Sequence, residues 1–86
     1  MEIDNDKLDD VVLALLYHNR FKSHPKDDWY QAWKSLDWDT MDRLHEKGFI
    51  SNPIGKSKSI SFSDEGFAKS EQLFRDLFTK DSQSDS

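Results

Sequence analysis

An aromatic cluster is the most specific chemical feature of this sequence. Four large aromatic residues fall within ten positions: Trp29, Tyr30, Trp33 and Trp38. Because Trp and Tyr dominate the energetics of protein–protein interfaces, the cluster is a candidate contact surface for another protein. Three acidic residues follow, and we interpret them as a rim that favours specificity and fast association: Asp39, Asp42 and Glu46. The alternative is that the three Trp side chains belong to the core.

Groups with catalytic potential are scattered along the chain. The three histidines fall on different predicted elements and form no His-Glu-x-x-His pattern: His18, His24 and His45. Most of the thirteen aspartates stand at predicted helix starts, where capping and the helix dipole explain them. The three glycines are isolated, so there is no glycine-rich phosphate loop. We expect no catalytic site, no cofactor and no metal ion.

Length and composition limit the class of protein. The chain has 86 residues, enough for one domain. It carries 12 basic and 17 acidic residues, and this balance excludes a basic coat that binds nucleic acid non-specifically. Cysteine is absent from the sequence, and no apolar run or signal-peptide pattern indicates a membrane span or export. We expect a cytoplasmic domain over residues 1–80 and a disordered polar tail over residues 81–86.

Helical spacing of apolar residues predicts the elements that position these groups. In the first helix the apolar residues are Leu8, Val11, Val12, Leu15 and Leu16, after three competent N-caps, Asp4, Asn5 and Asp6. A second helix is predicted from Asp27 or Asp28, with an apolar face of Trp29, Ala32, Trp33 and Leu36. A third follows, capped by Asp37, with Trp38, Met41 and Leu44 on its buried face and Gly48 at its C-terminal end.

The period then changes from helical to extended. Residues 49–53 and 58–62 are predicted to form a hairpin around a turn at Gly55. Ser63 is the expected N-cap of a last helix, with Phe62 and Phe67 as a hydrophobic staple. The expected core face of that helix is Phe67, Leu73, Phe74, Leu77 and Phe78. The predicted fold class is α+β and mainly helical, with three helices, a two-stranded hairpin and a C-terminal helix.

Two stretches carry a resemblance to known proteins. Residues 44–50 (LHEKGFI) run from a helix into a strand, and residues 60–66 (ISFSDEG) run from a strand into a helix. Both resemble the corresponding parts of winged-helix bacterial regulators. A second resemblance, to a family of small bacterial proteins of unknown function, covers residues 1–16, 32–50 and 55–74. Because the function of that family is unknown, this resemblance does not indicate a biochemical role.

The winged-helix resemblance implies an alternative function, a small DNA-binding regulator. Its phosphate contacts would come from four basic residues, Arg43, Lys47, Lys56 and Lys58. Acidic residues on the same predicted helix oppose this role because they repel a phosphate-lined groove. A third alternative is an inhibitor from a phage or mobile element that blocks the nucleic-acid-binding surface of a host complex. Our primary interpretation is a protein-binding module whose partner is another protein or a second copy, without a membrane or a small-molecule substrate.

Overall fold

Three helices and two short strands alternate along the chain. The computed structural model describes residues 1–34, 38–55 and 57–80. Its elements are α1 (Asn5–His18), β1 (Gln31–Trp33), α2 (Trp38–Glu46), β2 (Ser59–Ser61) and α3 (Asp64–Phe78). The two strands pair antiparallel, with Ala32 opposite Ile60. The predicted α+β, mainly helical class is confirmed.

The helix ends follow the capping residues in the sequence. The Asp4 carboxylate accepts a hydrogen bond from the Lys7 N–H at 3.1 Å and caps α1. The Ser63 hydroxyl accepts from the Gly66 N–H at 2.9 Å and caps α3. After α2 the chain reverses at Gly48, whose φ of 81° lies in the region that glycine adopts without strain. These three predicted boundaries are confirmed.

The segment from residue 27 to residue 34 differs from the sequence-based expectation. The predicted second helix is wrong, because this part of the chain contributes β1. The Lys34 N–H donates to the Lys58 carbonyl at 2.9 Å, and the Phe62 N–H donates to the Tyr30 carbonyl at 3.2 Å. A helix this short has a costly nucleus, whereas strand pairing satisfies backbone groups of both β1 and β2.

The strand β2 is paired on both sides. Beyond β1, Ile50 forms an isolated antiparallel bridge with Phe62. The Ser51 N–H donates to the Ser61 carbonyl at 2.8 Å. The predicted pairing of residues 49–53 with residues 58–62 therefore exists, although it is limited to a bridge beside the two-stranded sheet.

The core lies between the sheet and the helices, and α1 packs most extensively against α3. Three predicted apolar faces need correction. On α2, Met41 and Leu44 are buried as predicted, but Trp38 is exposed. Leu15 is 44% exposed, whereas Leu13 is fully buried. On α3, Leu77 and Phe78 are 48% and 44% exposed, and the fully packed positions are the small residues Gly66 and Ser70. A Cβ at Gly66 would collide with the backbone of Phe49, so a glycine lets α3 approach this closely.

Four predictions fall on residues that the structure does not describe. They concern Leu36 as an apolar helix position, Asp37 as a cap, Lys56 as a basic wing residue, and residues 81–86 as a disordered tail. Within the described ranges, no helix has the length and apolar character that a membrane span requires.

Candidate functional site

The three tryptophans are all accessible to solvent. Trp29 is 51% exposed, and Trp33 and Trp38 are each 57% exposed. The alternative that placed all three in the core is therefore wrong. The loop and the strand that replace the predicted helix leave Trp29 and Trp33 more than half exposed, and Trp38 is exposed at the first position of α2.

Trp33 lies on the outer face of the sheet, beside Phe21. The two rings stack with their centroids 4.8 Å apart and an interplanar angle of 25°. Phe21 is held there by two backbone hydrogen bonds with Gln31, both 2.8 Å long. Gln31 and Trp33 are two positions apart in a strand, so their side chains share a face. We call Phe21 and Trp33 the outer aromatic pair.

Tyr30 belongs to the opposite face of β1. It is three positions before Trp33, and its ring stacks on Phe67 of α3 with a centroid distance of 4.8 Å and an angle of 4°. Two cations also contact this ring: Arg20 Cζ lies 5.5 Å and Lys22 Nζ lies 4.9 Å from its centroid. The alternation of strand side chains thus divides the predicted aromatic patch between two surfaces.

Trp29 lines a cleft between the loop before β1 and the first turns of α3. The cleft has a volume of about 210 Å³. Its lining combines aromatic and acidic side chains with small residues, namely Asp28, Trp29, Tyr30, Phe62, Ser63, Asp64, Phe67, Ala68 and Glu71. We call it the Trp29 cleft. Its acidic residues are not those predicted for the rim.

The predicted acidic rim lies on α2 together with Trp38. Asp39, Asp42 and Glu46 are all exposed. The Lys34 ammonium lies 5.7 Å from the centroid of the Trp38 ring and also donates to the Gly55 carbonyl at 3.3 Å. The rim therefore borders Trp38, which is one part of the predicted patch.

A buried charge cluster joins α1 to α2, and sequence reasoning missed it. The Asp9 side chain is only 1% exposed and forms ion pairs with Arg43 at 2.8 Å and Lys47 at 2.9 Å. Arg43 Nη2 also donates to the buried Thr40 hydroxyl at 3.0 Å. We call Asp9, Thr40, Arg43 and Lys47 the ionic cluster.

Electrostatics within the ionic cluster stabilise the charged forms of Asp9 and Lys47. Burial acts to raise the pKa of Asp9, but hydrogen bonds from Arg43 and Lys47 outweigh it, and the net pKa is lowered. The hydrogen bond to Asp9 raises the pKa of Lys47, against the effect of burial. The sequence did contain a signal, because Asp9 stands three and seven positions before Val12 and Leu16, which belong to the predicted apolar face and are buried.

The ionic cluster contains two residues of the DNA-binding alternative. Arg43 and Lys47 are 28% and 35% exposed and both contact Asp9, and Lys47 also lies 3.5 Å from the exposed carboxylate of Asp6, so two carboxylates face the two cations within the protein. Lys58 is exposed, and Lys56 is outside the described residues. The basic residues of α2 are thus engaged in ion pairs, whereas Lys58 is exposed.

The histidines make local contacts at separate places. The His18 ring stacks on Phe74 with a centroid distance of 5.5 Å. His24 Nδ1 accepts from the Lys26 N–H at 3.2 Å, and His45 Nδ1 lies 3.0 Å from the Ile50 carbonyl oxygen. In the three described ranges, no group of three or more His, Asp or Glu side chains is close enough to hold a metal ion.

These features define a small, mainly helical α+β domain with exposed aromatic rings and a closed ionic cluster. The chain belongs to the family described as a domain of unknown function (DUF6429), whose model matches residues 4–80. It is 53% identical over 83 residues to the uncharacterized protein y4hR of Sinorhizobium fredii, an alignment that covers 93% of this chain and 100% of that protein. No solved structure matches the chain. The resemblance to a small bacterial family is confirmed, and the winged-helix resemblance stays an interpretation.

Proposed function

We propose that this protein is a non-catalytic cytoplasmic module that binds another protein through its exposed aromatic side chains. The observation that carries the proposal is the exposure of three tryptophans, each above one half. When a partner covers a large apolar ring that was exposed to water, the free energy falls by about 25 cal/mol for each Å² of apolar surface buried. Trp is also the residue type most enriched at interface hot spots.

The outer aromatic pair is suited to contact because it is already ordered. The stacking of Trp33 on Phe21 and the backbone bonds of Phe21 fix both rings before any partner arrives. A preordered side chain loses less conformational entropy on binding than a mobile one. The exposed carboxylates of Asp39, Asp42 and Glu46 would then favour a partner with a positive surface and speed its approach.

The two alternatives differ in how well the contacts support them. A DNA-binding regulator would need Arg43 and Lys47 for phosphates, and both are engaged with Asp9. We therefore expect no duplex DNA binding tighter than about 10 μM at physiological salt, which is weaker than specific DNA-binding proteins achieve. An inhibitor of a nucleic-acid-binding complex would use the same exposed aromatic and acidic residues and is a special case of protein binding.

The test is affinity capture with matched aromatic variants. Wild-type protein, Trp33→Ala, Trp38→Ala and Phe78→Ala are immobilised, and nuclease-treated lysate of the source cells is passed over each. Phe78 is the control, because it is an aromatic residue 44% exposed at the far end of α3. A purified captured protein should then bind Trp33→Ala or Trp38→Ala more weakly by about 2 kcal/mol and Phe78→Ala unchanged.

Two results would contradict the proposal. Equal binding by all four proteins would show that the exposed tryptophans are not contacts. Sub-micromolar binding to a labelled duplex, abolished by changing Lys56 and Lys58 to Glu, would favour the regulator instead.

A further inference from the structure

The Trp29 cleft has an unbalanced negative charge. Three of its lining residues are acidic, Asp28, Asp64 and Glu71, and none is basic. Among the described residues, neither Asp28 nor Asp64 forms an ion pair, and Glu71 pairs only with Arg75 of its own helix, at 2.8 Å. A cleft of this charge attracts a cation because its apolar walls weaken the screening of the carboxylates by water.

The arrangement of the carboxylates favours an extended cation over a metal ion. Asp28 precedes β1, Asp64 begins α3, and Glu71 is two turns further along α3. The three do not converge on one point, since no metal-sized group of three such side chains occurs in the described ranges. A planar guanidinium fits better, because its five N–H donors can reach separate carboxylates.

Trp29 offers the aromatic surface that such a cation needs. In the described residues no other ring stacks on it and no Lys or Arg lies over it, in contrast to Trp33 with Phe21 and Trp38 with Lys34. Trp is the strongest of the aromatic side chains in attracting a cation to its face. Arg20 and Lys22 are not lining residues; they contact Tyr30, which leaves the indole of Trp29 to an incoming group.

We propose that the Trp29 cleft binds an arginine side chain of the partner protein. The guanidinium stacks on the Trp29 indole and donates a hydrogen bond to the carboxylate of Asp28. It donates a second hydrogen bond to the carboxylate of either Glu71 or Asp64. This inference rests on the proposed function, because it names the chemistry of the partner. It also assigns Trp29 a role separate from that of the outer aromatic pair.

The first experiment is a titration of the whole chain with short peptides, followed by NMR at the three indole N–H groups. The probe is acetyl-Gly-Arg-Gly-Arg-Gly-amide, and the control is the same peptide with citrulline, which keeps the shape of arginine without its charge. The Trp29 resonance should shift saturably with the arginine peptide, while those of Trp33 and Trp38 stay in place. An equal response to the citrulline peptide, or shifts confined to Trp33, would overturn the inference.

The second experiment compares two variants with the same change in net charge. Asp28→Asn removes a carboxylate of the cleft, and Asp76→Asn removes an exposed carboxylate of α3 that belongs neither to the cleft nor to the acidic rim. Asp28→Asn should weaken peptide binding about threefold to fivefold, the upper part of the range for one exposed ion pair, with Asp76→Asn unchanged. Equal weakening would show that the peptide responds only to the overall negative charge. Urea unfolding of both variants verifies that they are folded.

The outcome for the cleft can be separated from that for the proposed function. If a captured partner depends on Trp33 or Trp38 while the arginine peptide fails to shift Trp29, the cleft inference is wrong and protein binding stands. If the peptide binds at Trp29 but no captured protein depends on Trp33 or Trp38, the outer surface has been assigned wrongly.

Discussion

The ionic cluster and the outer aromatic pair both reverse the usual distribution of residue types in a protein. In the cluster a charged side chain is buried, and in the pair a large apolar side chain is exposed. Asp9 is a charged side chain and is 1% exposed, whereas Trp33 is a large apolar side chain and is 57% exposed. Each charge around Asp9 has its partner within the domain. The indole of Trp33 has one covered face, on Phe21, and the rest of its surface is in water.

This difference makes the uncovered aromatic ring, and not the paired charges, the candidate contact for another molecule. A buried ion pair that is fully compensated holds two elements in a fixed relation. An apolar ring that the domain leaves uncovered is available to another molecule. Charged residues on α2 look functional in the sequence but serve structure at Arg43 and Lys47. Aromatic residues near β1 look like core in the sequence but remain accessible.

The largest expected effect comes from breaking the ionic cluster. Replacing Arg43 with Met keeps the length of the side chain and leaves the buried Asp9 carboxylate with Lys47 alone. We expect the free energy of unfolding to fall by about 2 to 3 kcal/mol, below the full effect of leaving a buried charge unpaired. Urea unfolding measures the change.

The control for Arg43→Met is Lys58→Met, because Lys58 is exposed and forms no ion pair among the described residues. The free energy of unfolding of Lys58→Met should differ from that of the wild type by no more than about 0.5 kcal/mol. Similar losses in the two variants would show that α1 and α2 do not depend on the cluster.

Acid should produce part of the same disruption. The pKa of Asp9 is lowered in the folded protein, so its carboxylate stabilises the fold above the pKa of the unfolded chain, about 3.9. That contribution is lost as the pH falls through the folded pKa. We expect stability to decrease on acidification below about pH 4, and less steeply in Arg43→Met, where only Lys47 lowers the pKa of Asp9.

The alkaline side gives the matching check on Lys47. Its pKa is raised in the folded protein, so its contribution is complete below the unfolded pKa of about 10.4 and is lost as the pH rises through the folded pKa. Urea unfolding at fixed ionic strength measures both limbs. Identical acid limbs in the wild type and Arg43→Met would contradict the assignment of this pH dependence to Asp9.

The smallest expected effect is the coupling within the outer aromatic pair. Single and double replacements of Phe21 and Trp33 by Ala form a double-mutant cycle. We expect an interaction energy of about 1 kcal/mol, typical of stacked rings at this distance. A coupling near zero would mean that the pair is not preordered, and the argument from low entropy loss would fail for Trp33.

Sequence reasoning succeeded where the signal was local. The caps at Asp4, Ser63 and Gly48 are each recognised within one turn of their own helix. It failed at β1, because Trp29, Ala32 and Trp33 have helical spacing and the strand is decided by hydrogen bonds to β2, far along the chain. No window of neighbouring residues contains that information.

The candidate site shows the same division. The residue types named the aromatic residues as candidate contacts but left open whether the three tryptophans belong to the core, and the structure shows each tryptophan more than half exposed. Trp33 belongs to the outer pair and Trp29 to the cleft, and this separation depends on the strand conformation of β1, which the sequence did not predict. The acidic lining at Asp64 and Glu71 comes from α3, a distant part of the chain. The ionic cluster was missed because Asp9 was explained by the helix dipole, which accounts for its charge but not for its burial.

The packing of α1 against α3 has a consequence for the order in which the domain forms. The first helix finds its most extensive contact in the last one, so the loop that must close contains both strands and α2. During synthesis, α1 leaves the ribosome long before α3 exists, and its apolar face then has no permanent cover. Closing such a long loop is slow compared with forming either helix. Until α3 emerges, the nascent chain therefore exposes the apolar face of α1, and exposed apolar surface of this kind promotes aggregation.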